Sequence, residues 1–233
     1  MAQDVQSNFD GIPLFASLTA SERDDLVRQC RIKRYGAGEH IIDSESDSRD
    51  VYFVIKGVVR VVNYSASGRE VALADIPAGG YFGELAALDG GPRSAFVMPH
   101  VNEAVTAAMP CEVFLNLVSR KPGLSLEILK RLARIVRQAT ERIMDLSTLG
   151  ANNRVHAELL RQAWAATDDG HKATLTPIPL HADIASRVST TRETVARVLN
   201  DLARAGIVER KKGALVILDM DRLAALVEDV RGN

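Results

Sequence analysis

From Leu124 to Leu149 the chain runs 26 positions without a glycine or a proline. Within that stretch Leu129, Leu132, Val136, Ala139, Ile143 and Leu146 recur at alternating steps of three and four. A 3.5-residue period puts all six on one stripe of a helix, as in a two-helix seam. Arg131, Arg134, Arg137, Glu141, Arg142 and Asp145 fall mostly off the stripe and are expected to stay in water. The same pattern would also suit an amphipathic helix lying on its own domain. Position separates the two readings. Before the stretch the chain reads mainly as strands, and after it mainly as short helices. A helix that joins unlike modules and carries a seam suits a dimer spine.

The strand-rich part is punctuated by glycine. Residues 1–8 are polar and expected to be loose, and Thr19 with Glu22 three residues on opens a short helix towards Cys30. Val51–Ile55 and Val58–Val62 flank Lys56-Gly57 and read as two strands joined by a tight turn. Val71–Ile76, Ala95–Met98 and Ala104–Ala108 supply further strand. Short strands at this spacing predict a small antiparallel barrel or roll. Pro110–Ser119 reads as a helix, broken at Lys121-Pro122-Gly123.

Past Gly150, Asn153–Ala166 is helical, with Val155, Leu159, Leu160 and Trp164 on one side, and Trp164 is expected in the core. Asp168-Asp169-Gly170 reads as a turn and Ala173–Pro179 as an irregular β-like edge. His181–Val188 and Arg192–Ala205 are two short helices, and Ile207–Glu209 and Ala214–Leu218 flank the basic tip Arg210-Lys211-Lys212-Gly213. A helix over Asp221–Val230 closes the chain. The fold class expected is α+β. Residues 1–123 form a β-roll, 124–149 a dimerisation helix, and 150–233 a winged helix-turn-helix.

Bulk composition excludes little by itself. Net charge is −1 over 233 residues, so partners must be sought in local charge. From Leu180 to Gly213 seven Lys and Arg face four Asp and Glu, a local balance of +3. Cys30 and Cys111 lie far apart and suit idle thiols better than a metal set. His100, His156 and His181 are scattered, which argues for structural or surface roles and no metal. The polar start MAQDVQSNFDG does not resemble a secretion signal, and no apolar run reaches membrane-spanning length. The expectation is a cytoplasmic protein without a membrane partner.

Two constellations carry chemistry. In the first, Gly79, Gly80 and Gly83 precede Glu84-Leu85-Ala86-Ala87-Leu88, and Pro92-Arg93-Ser94-Ala95 follows. Glycines let backbone approach a ligand, and a helix turn opening near Gly83 would aim N–H groups at an anion. Arg93 supplies a fixed cationic fork for a phosphate, Ser94 a hydroxyl beside it, and Glu84 an acceptor for a sugar hydroxyl. No Lys-Ser/Thr ending follows, so this is not a nucleoside-triphosphate loop. In the second, Ile184, Val188, Val195, Val198 and Leu199 are spaced to pack two short helices together, with small Ala185 at their crossing. Arg192, Glu193 and Arg197 then share the outward face. Arg can bridge guanine O6 and N7, and Glu can accept from cytosine N4. Thr190, Thr191 and Thr194, and Lys211 on the basic tip, are placed for phosphates.

F-G-E-L-A-A-L-D-G-G-P-R-S-A, residues 82–95, resembles the phosphate-binding cassette of cyclic-nucleotide-binding domains. The resemblance implies Arg93 at the cyclic phosphate and Glu84 at the ribose 2′-hydroxyl. It places Phe82, Gly83, Leu85, Ala86, Ser94 and Ala95 beside them, and Arg137 and Thr140 of the long helix at the ligand. T-R-E-T-V-A-R-V-L, residues 191–199, resembles the recognition helix of the CRP/FNR family of bacterial regulators. Together the resemblances cover about residues 9–219. They imply a homodimer that is not an enzyme, binds cAMP or cGMP as allosteric ligand, reads an inverted-repeat site on double-stranded DNA, and meets RNA polymerase.

Two departures stand out. Ser189 occupies a turn position where the family often has Gly, and Ala139-Thr140 stands where the family's adenine-contacting Thr-Ser pair would be. Met1–Gln29 contains no cysteine, unlike the iron–sulfur branch. Two alternatives stay open at this point. One is a regulator of the same fold answering another small molecule or none. The other is a nucleotide-controlled signalling subunit acting on a protein.

Overall fold

The computed structural model describes residues 9–167 and 170–231, so the expectations for residues 1–8 and for Asp168-Asp169 lie outside the described residues. The chain divides into two compact units, 1–134 and 135–233.

The first unit opens with a 3-10 turn over Pro13–Phe15 and helix α1 (Ala20–Arg28). The Thr19 hydroxyl accepts from the Glu22 N–H, and the Glu22 carboxylate accepts from the Thr19 N–H, so two of the helix's orphan donors are met by two side chains. Seven strands follow: β1 (Arg31–Tyr35), β2 (Val51–Lys56), β3 (Val58–Tyr64), β4 (Glu70–Pro77), β5 (Tyr81–Phe82), β6 (Phe96–Pro99) and β7 (Ala104–Met109). They form two antiparallel sheets, ordered β1-β7-β2-β5 and β4-β3-β6. Helix α2 (Glu84–Asp89) lies between β5 and β6, and helix α3 (Cys111–Arg120) follows β7.

The two strands flanking Gly57 do not pair with each other as expected. β2 pairs with β5 and β7, while β3 pairs with β4 and β6. Gly57, at φ 84°, turns the chain from one sheet into the other. A Cβ there would stand 2.5 Å from the Glu103 carbonyl oxygen, so the corner admits only glycine. β1 and β5 escaped the sequence reading. β1 (RIKRY) is mostly exposed and charged, and β5 is only two residues long. Phe9, Phe15 and Phe53 pack ring against ring, with centroids 4.8–5.7 Å apart, and all three are almost fully buried. Each such side chain contributes roughly 1.5–3 kcal/mol of hydrophobic stabilisation.

Helix α4 (Pro122–Thr148) is continuous across the division between the units. It begins two residues before the expected start. Pro122 takes a helix-opening position, where a missing N–H costs nothing. Leu129, Val136 and Ile143 are each more than 60% exposed, and Leu146 is 48% exposed, whereas Leu132 packs on the first unit's core.

The second unit contains helix α5 (Ala151–Ala166), strand β8 (Ala173–Leu175), helices α6 (His181–Arg187) and α7 (Arg192–Arg204), strands β9 (Val208–Lys211) and β10 (Ala214–Ile217), and helix α8 (Met220–Arg231). The three strands form an antiparallel sheet, β8-β10-β9. Val155, Leu159 and Ala163 of α5 enter a core with Ile184, Val195, Val198, Leu199, Leu215 and Leu223. Trp164 does not join it and is 55% exposed. The inward face of α5 runs 155-159-163, and the next residue points about 100° away. Arg131, Arg142 and Asp145 also depart from expectation. None of the three is fully exposed, and Asp145 is buried. Mixed helix and sheet, with a β-roll first and a winged helix-turn-helix last, match the expected α+β class.

Candidate functional sites

The first site forms where β5 ends. Gly83, at φ 83°, turns the chain into α2, and no side chain caps that helix. Arg93 returns to this point and is buried at 7% exposure. Its Nη1 donates to the Gly83 carbonyl at 3.0 Å, and its Nη2 donates to the Asp50 carbonyl at 2.8 Å and to Ser48 Oγ at 3.4 Å. A Cβ on residue 83 would stand 2.7 Å from Arg93 Nη1, so Gly83 is what lets the guanidinium lie there. Arg93 Nε is buried without a hydrogen-bond partner. Among the described residues no carboxylate oxygen forms a salt bridge with the group, and burial pushes its pKa below the usual arginine value against the pull of Tyr52 and Asp50. A buried cation held by neutral carbonyls, with one donor still free, is suited to an anion. α2 is only six residues long, so its dipole adds little and Arg93 supplies most of the positive field.

Glu84 is 5% exposed. Burial raises its carboxyl above the usual range, against the pull of Arg131. Arg131 Nε stands 3.9 Å from Glu84 Oε1. The Arg131 guanidinium lies over the Tyr81 ring at 3.9 Å and donates to the Tyr81 carbonyl at 2.5 Å. The pattern of α4 alone puts Arg131 in water, because a charged residue beside a seam carries no sign of what it covers. Phe82 is buried and stacks on Tyr52, with centroids 5.2 Å apart. Ala86 and Ala95 are buried, and Leu85 and Ser94 are exposed. Ser48, Asp50 and Asn63, whose Nδ2 donates to the Ser94 carbonyl at 3.1 Å, also build the site, from loops and a strand that no motif marked. Arg137 and Thr140 lie exposed on α4 in the second unit, and the Thr140 hydroxyl donates to the Val136 carbonyl at 3.0 Å.

The second site is built on α6 and α7. Ile184, Ala185, Val188, Val195, Val198 and Leu199 are buried between them. Arg192, Glu193 and Arg197 are exposed on the outer face of α7, and Thr190 and Thr194 are half-buried. The Thr191 hydroxyl accepts from the Thr194 N–H and caps α7. Glu193 sits in the first turn, where a backbone N–H and the Thr191 side chain hold its carboxyl below the usual range. Arg197 Nη2 donates to Asn152 Oδ1 at 3.3 Å. Lys211 is exposed on the β9-β10 hairpin, 3.4 Å from Glu209, and Arg210 Nη2 meets His181 Nε2 at 2.5 Å.

The turn between the helices explains the family's preference for glycine. Ser189 has φ 51°, the one positive φ on a non-glycine among the described residues. That conformation costs a side-chain-bearing residue about 1–2 kcal/mol. Arg154 of α5 holds the turn. Its Nε donates to the Val188 carbonyl at 2.9 Å, its Nη2 to the Ser189 carbonyl at 3.2 Å, and its Nη1 to the Leu149 carbonyl at 2.9 Å.

Two family models match this chain. A family model described as a cyclic nucleotide-binding domain matches residues 32–121, and one described as a Crp-like helix-turn-helix domain matches residues 153–226. The chain is 32% identical over 227 residues to the cyclic AMP receptor protein of Thermus thermophilus, covering 94% of this chain and 97% of that protein. The chain belongs to the CRP/FNR family of transcription regulators.

A CRP-like cAMP-activated global transcriptional regulator of Mycobacterium tuberculosis is 29% identical over 213 residues, covering 91% of this chain and 94% of that one. The solved structure of a CooA mutant from Carboxydothermus hydrogenoformans shares the fold at TM-score 0.75 and 24% identity, covering 87% of this chain and 90% of that chain. As a CRP/FNR member the chain is a DNA-binding transcription regulator with a domain for a small effector. Among the described residues no group of three or more His, Cys, Asp or Glu could hold a metal ion, and no helix is long and apolar enough to cross a membrane.

Proposed function

We propose that this regulator is a cytoplasmic homodimer that binds cAMP, and also cGMP, in the Glu84–Arg93 pocket and answers by changing its grip on an inverted-repeat DNA site. The observation that carries the ligand is Arg93: a buried guanidinium with neutral carbonyl partners and an unpartnered Nε. A cyclic phosphate would supply the missing anion. Glu84, 5% exposed, would accept from the ribose 2′-hydroxyl, with Arg131 favouring its charged form. Gly83, Leu85, Ala86, Phe82, Ser94 and Ala95 would line the phosphate and sugar. Thr140 and Arg137 would reach the ligand from α4. Ser94 offers a hydroxyl to a phosphate or to a guanine 2-amino group, and Ala139 offers none, so discrimination against cGMP should be weak.

The dimer reading rests on Leu129, Val136, Ile143 and Leu146, four large apolar side chains left exposed on one stripe of α4. Residues 124–149 would form the seam with a second copy. A two-fold dimer presents two reader helices, so two half-sites about 34 Å apart should be read as an inverted repeat. Arg192 and Arg197 would favour guanines and Glu193 a cytosine, giving a G·C-bearing core resembling TGTGA. Thr190, Thr194 and Lys211 would hold phosphates, and RNA polymerase would be the partner on bound DNA. The test is calorimetry of one sample with cAMP and with cGMP. Saturable binding of both supports the reading, and heat from neither removes the nucleotide from it.

A further inference from the structure

A carboxylate taken out of water costs several kcal/mol unless it is paired, and among its described residues the second unit buries two of them. Glu158 of α5 is 2% exposed and Asp145, in the last turn of α4, is 5% exposed. Three arginines gather round them. Arg161 reaches both, with Nη1 on Glu158 and Nη2 donating to Asp145 Oδ2 at 2.7 Å. Arg187, the last residue of α6, places Nη1 3.8 Å from Glu158 Oε1, and Gln162 Nε2 donates to the same oxygen at 2.9 Å. Arg142 of α4 is half-buried and interacts electrostatically with Glu158, Arg161 and Arg187. One cluster therefore joins α4, α5 and α6.

Such a cluster is a poor way to gain stability, since apolar side chains of the same volume do as well or better. It is a good way to fix geometry. Apolar surfaces slide at small cost, whereas a buried ion pair that opens leaves a charge without a partner. A shift of the last turn of α4 must therefore break Asp145–Arg161 or carry α5 with it. Arg161 shares Glu158 with Arg187, so α6 is carried too. Arg187 stands immediately before the turn that sets α7. One helical turn along α5, Arg154 ties the Leu149 carbonyl near the end of α4 to the Val188 and Ser189 carbonyls of that turn.

We propose that Glu158, Arg161, Arg187 and Asp145 are positioning residues that lock the reader helix to the end of α4, so that a change in the long helix reaches DNA. This inference rests on the proposed function, because the change in α4 is the one that nucleotide would cause. A ligand acts only through its differential affinity for the two arrangements, and a stiff link is what makes the reader part of that difference.

The experiment measures two quantities on the full-length parent, Glu158→Gln, Arg187→Met and Arg187→Lys. One is cAMP affinity by calorimetry. The other is the ratio of inverted-repeat DNA affinity with and without cAMP. In Glu158→Gln and Arg187→Met the cAMP affinity should stay within about twofold, while the ratio falls at least about fivefold towards one, a loss on the scale of ordinary allosteric coupling. Arg187→Lys should keep most of the parent ratio. Arg187→Met, which leaves both carboxylates with Arg161, decides the matter where Glu158→Gln does not fold. A folded Arg187→Met or Glu158→Gln with the parent ratio overturns the inference and leaves the proposed function standing. A parent that binds cAMP with no effect on DNA overturns the proposed function, and the coupling falls with it.

Discussion

The two sites place their charges in opposite ways. In the first unit Arg93 and Glu84 are buried and already held by the fold, through the Gly83 and Asp50 carbonyls and through Arg131. In the second unit Arg192, Glu193 and Arg197 stand in water on a helix whose other face is packed. On the proposed function, the difference would follow from the size of what is bound. A small anion must be surrounded, so its partner pays desolvation in advance and the pocket is preorganised. A DNA duplex is a surface, so its readers stay exposed and only their scaffold is fixed. Loss of a pocket charge should then be felt far more than loss of a reader charge.

Arg93→Leu is the largest test of that contrast. It removes the buried cation proposed to face a cyclic phosphate, a loss of about 2–5 kcal/mol by comparison with buried charge pairs, or roughly 30- to 5,000-fold in affinity. Calorimetry should find cAMP and cGMP binding both lost. A variant that binds as the parent does would move the ligand elsewhere. Val136→Glu comes next. It puts a charge into the exposed seam of α4, and sedimentation should report monomers. An unchanged dimer would place the interface elsewhere.

The reader should give smaller and more selective losses. Glu193→Ala removes an acceptor and should relax specificity at one base pair by about 1–3 kcal/mol. Selection from random duplexes should return the parent motif with that position degenerate, and a motif identical at every position would remove Glu193 from the interface. Lys211→Ala should weaken all sequences alike and reduce the salt slope by about one, because a phosphate contact carries no base information.

An exposed ion pair in the first unit supplies the weakest case. Lys121 and the Thr19 cap hold the Glu22 carboxyl down at about 2, below its ordinary 4.5. A depressed carboxylate contributes stability above its unfolded pKa and loses it as pH falls through its folded one. The contribution should therefore fade between pH 4.5 and about 2, and Glu22→Gln should flatten that part of the melting profile. Solvent screens this pair, so the effect should be small. Glu84 runs the other way. Burial raises its carboxyl, so its unfavourable charge is relieved as pH falls.

The sequence was most legible where spacing alone fixes geometry. The stripe of α4, the Thr19–Glu22 box and the α6–α7 pair were placed within a residue or two, because period and capping are local. The motif order from Phe82 to Ala95 located Arg93 and Glu84 for the same reason. Strand pairing was not legible. Nothing in VYFVIKGVVRVV says that Gly57 is a corner between sheets and not a hairpin, since that depends on Glu103, 46 positions away. The partners of the site charges were hidden for a like reason. Arg131, Ser48 and Asp50 reach the pocket from other elements, and Arg187 of α6 and Asp145 of α4 join the Glu158–Arg161 pair of α5. Trp164 shows the opposite error, a large apolar residue assigned to the core on its identity while the helix phase points it outward.

An anion at Arg93 should change what the exposed face of α7 does to DNA. Fluorescence anisotropy of a labelled inverted-repeat duplex, at one fixed salt concentration, tests it with the parent and Arg93→Leu, each with and without cAMP. DNA binding by the parent should tighten when cAMP is present, and Arg93→Leu should show no difference. Equal DNA affinity with and without cAMP, in a parent shown to bind the nucleotide, would contradict it.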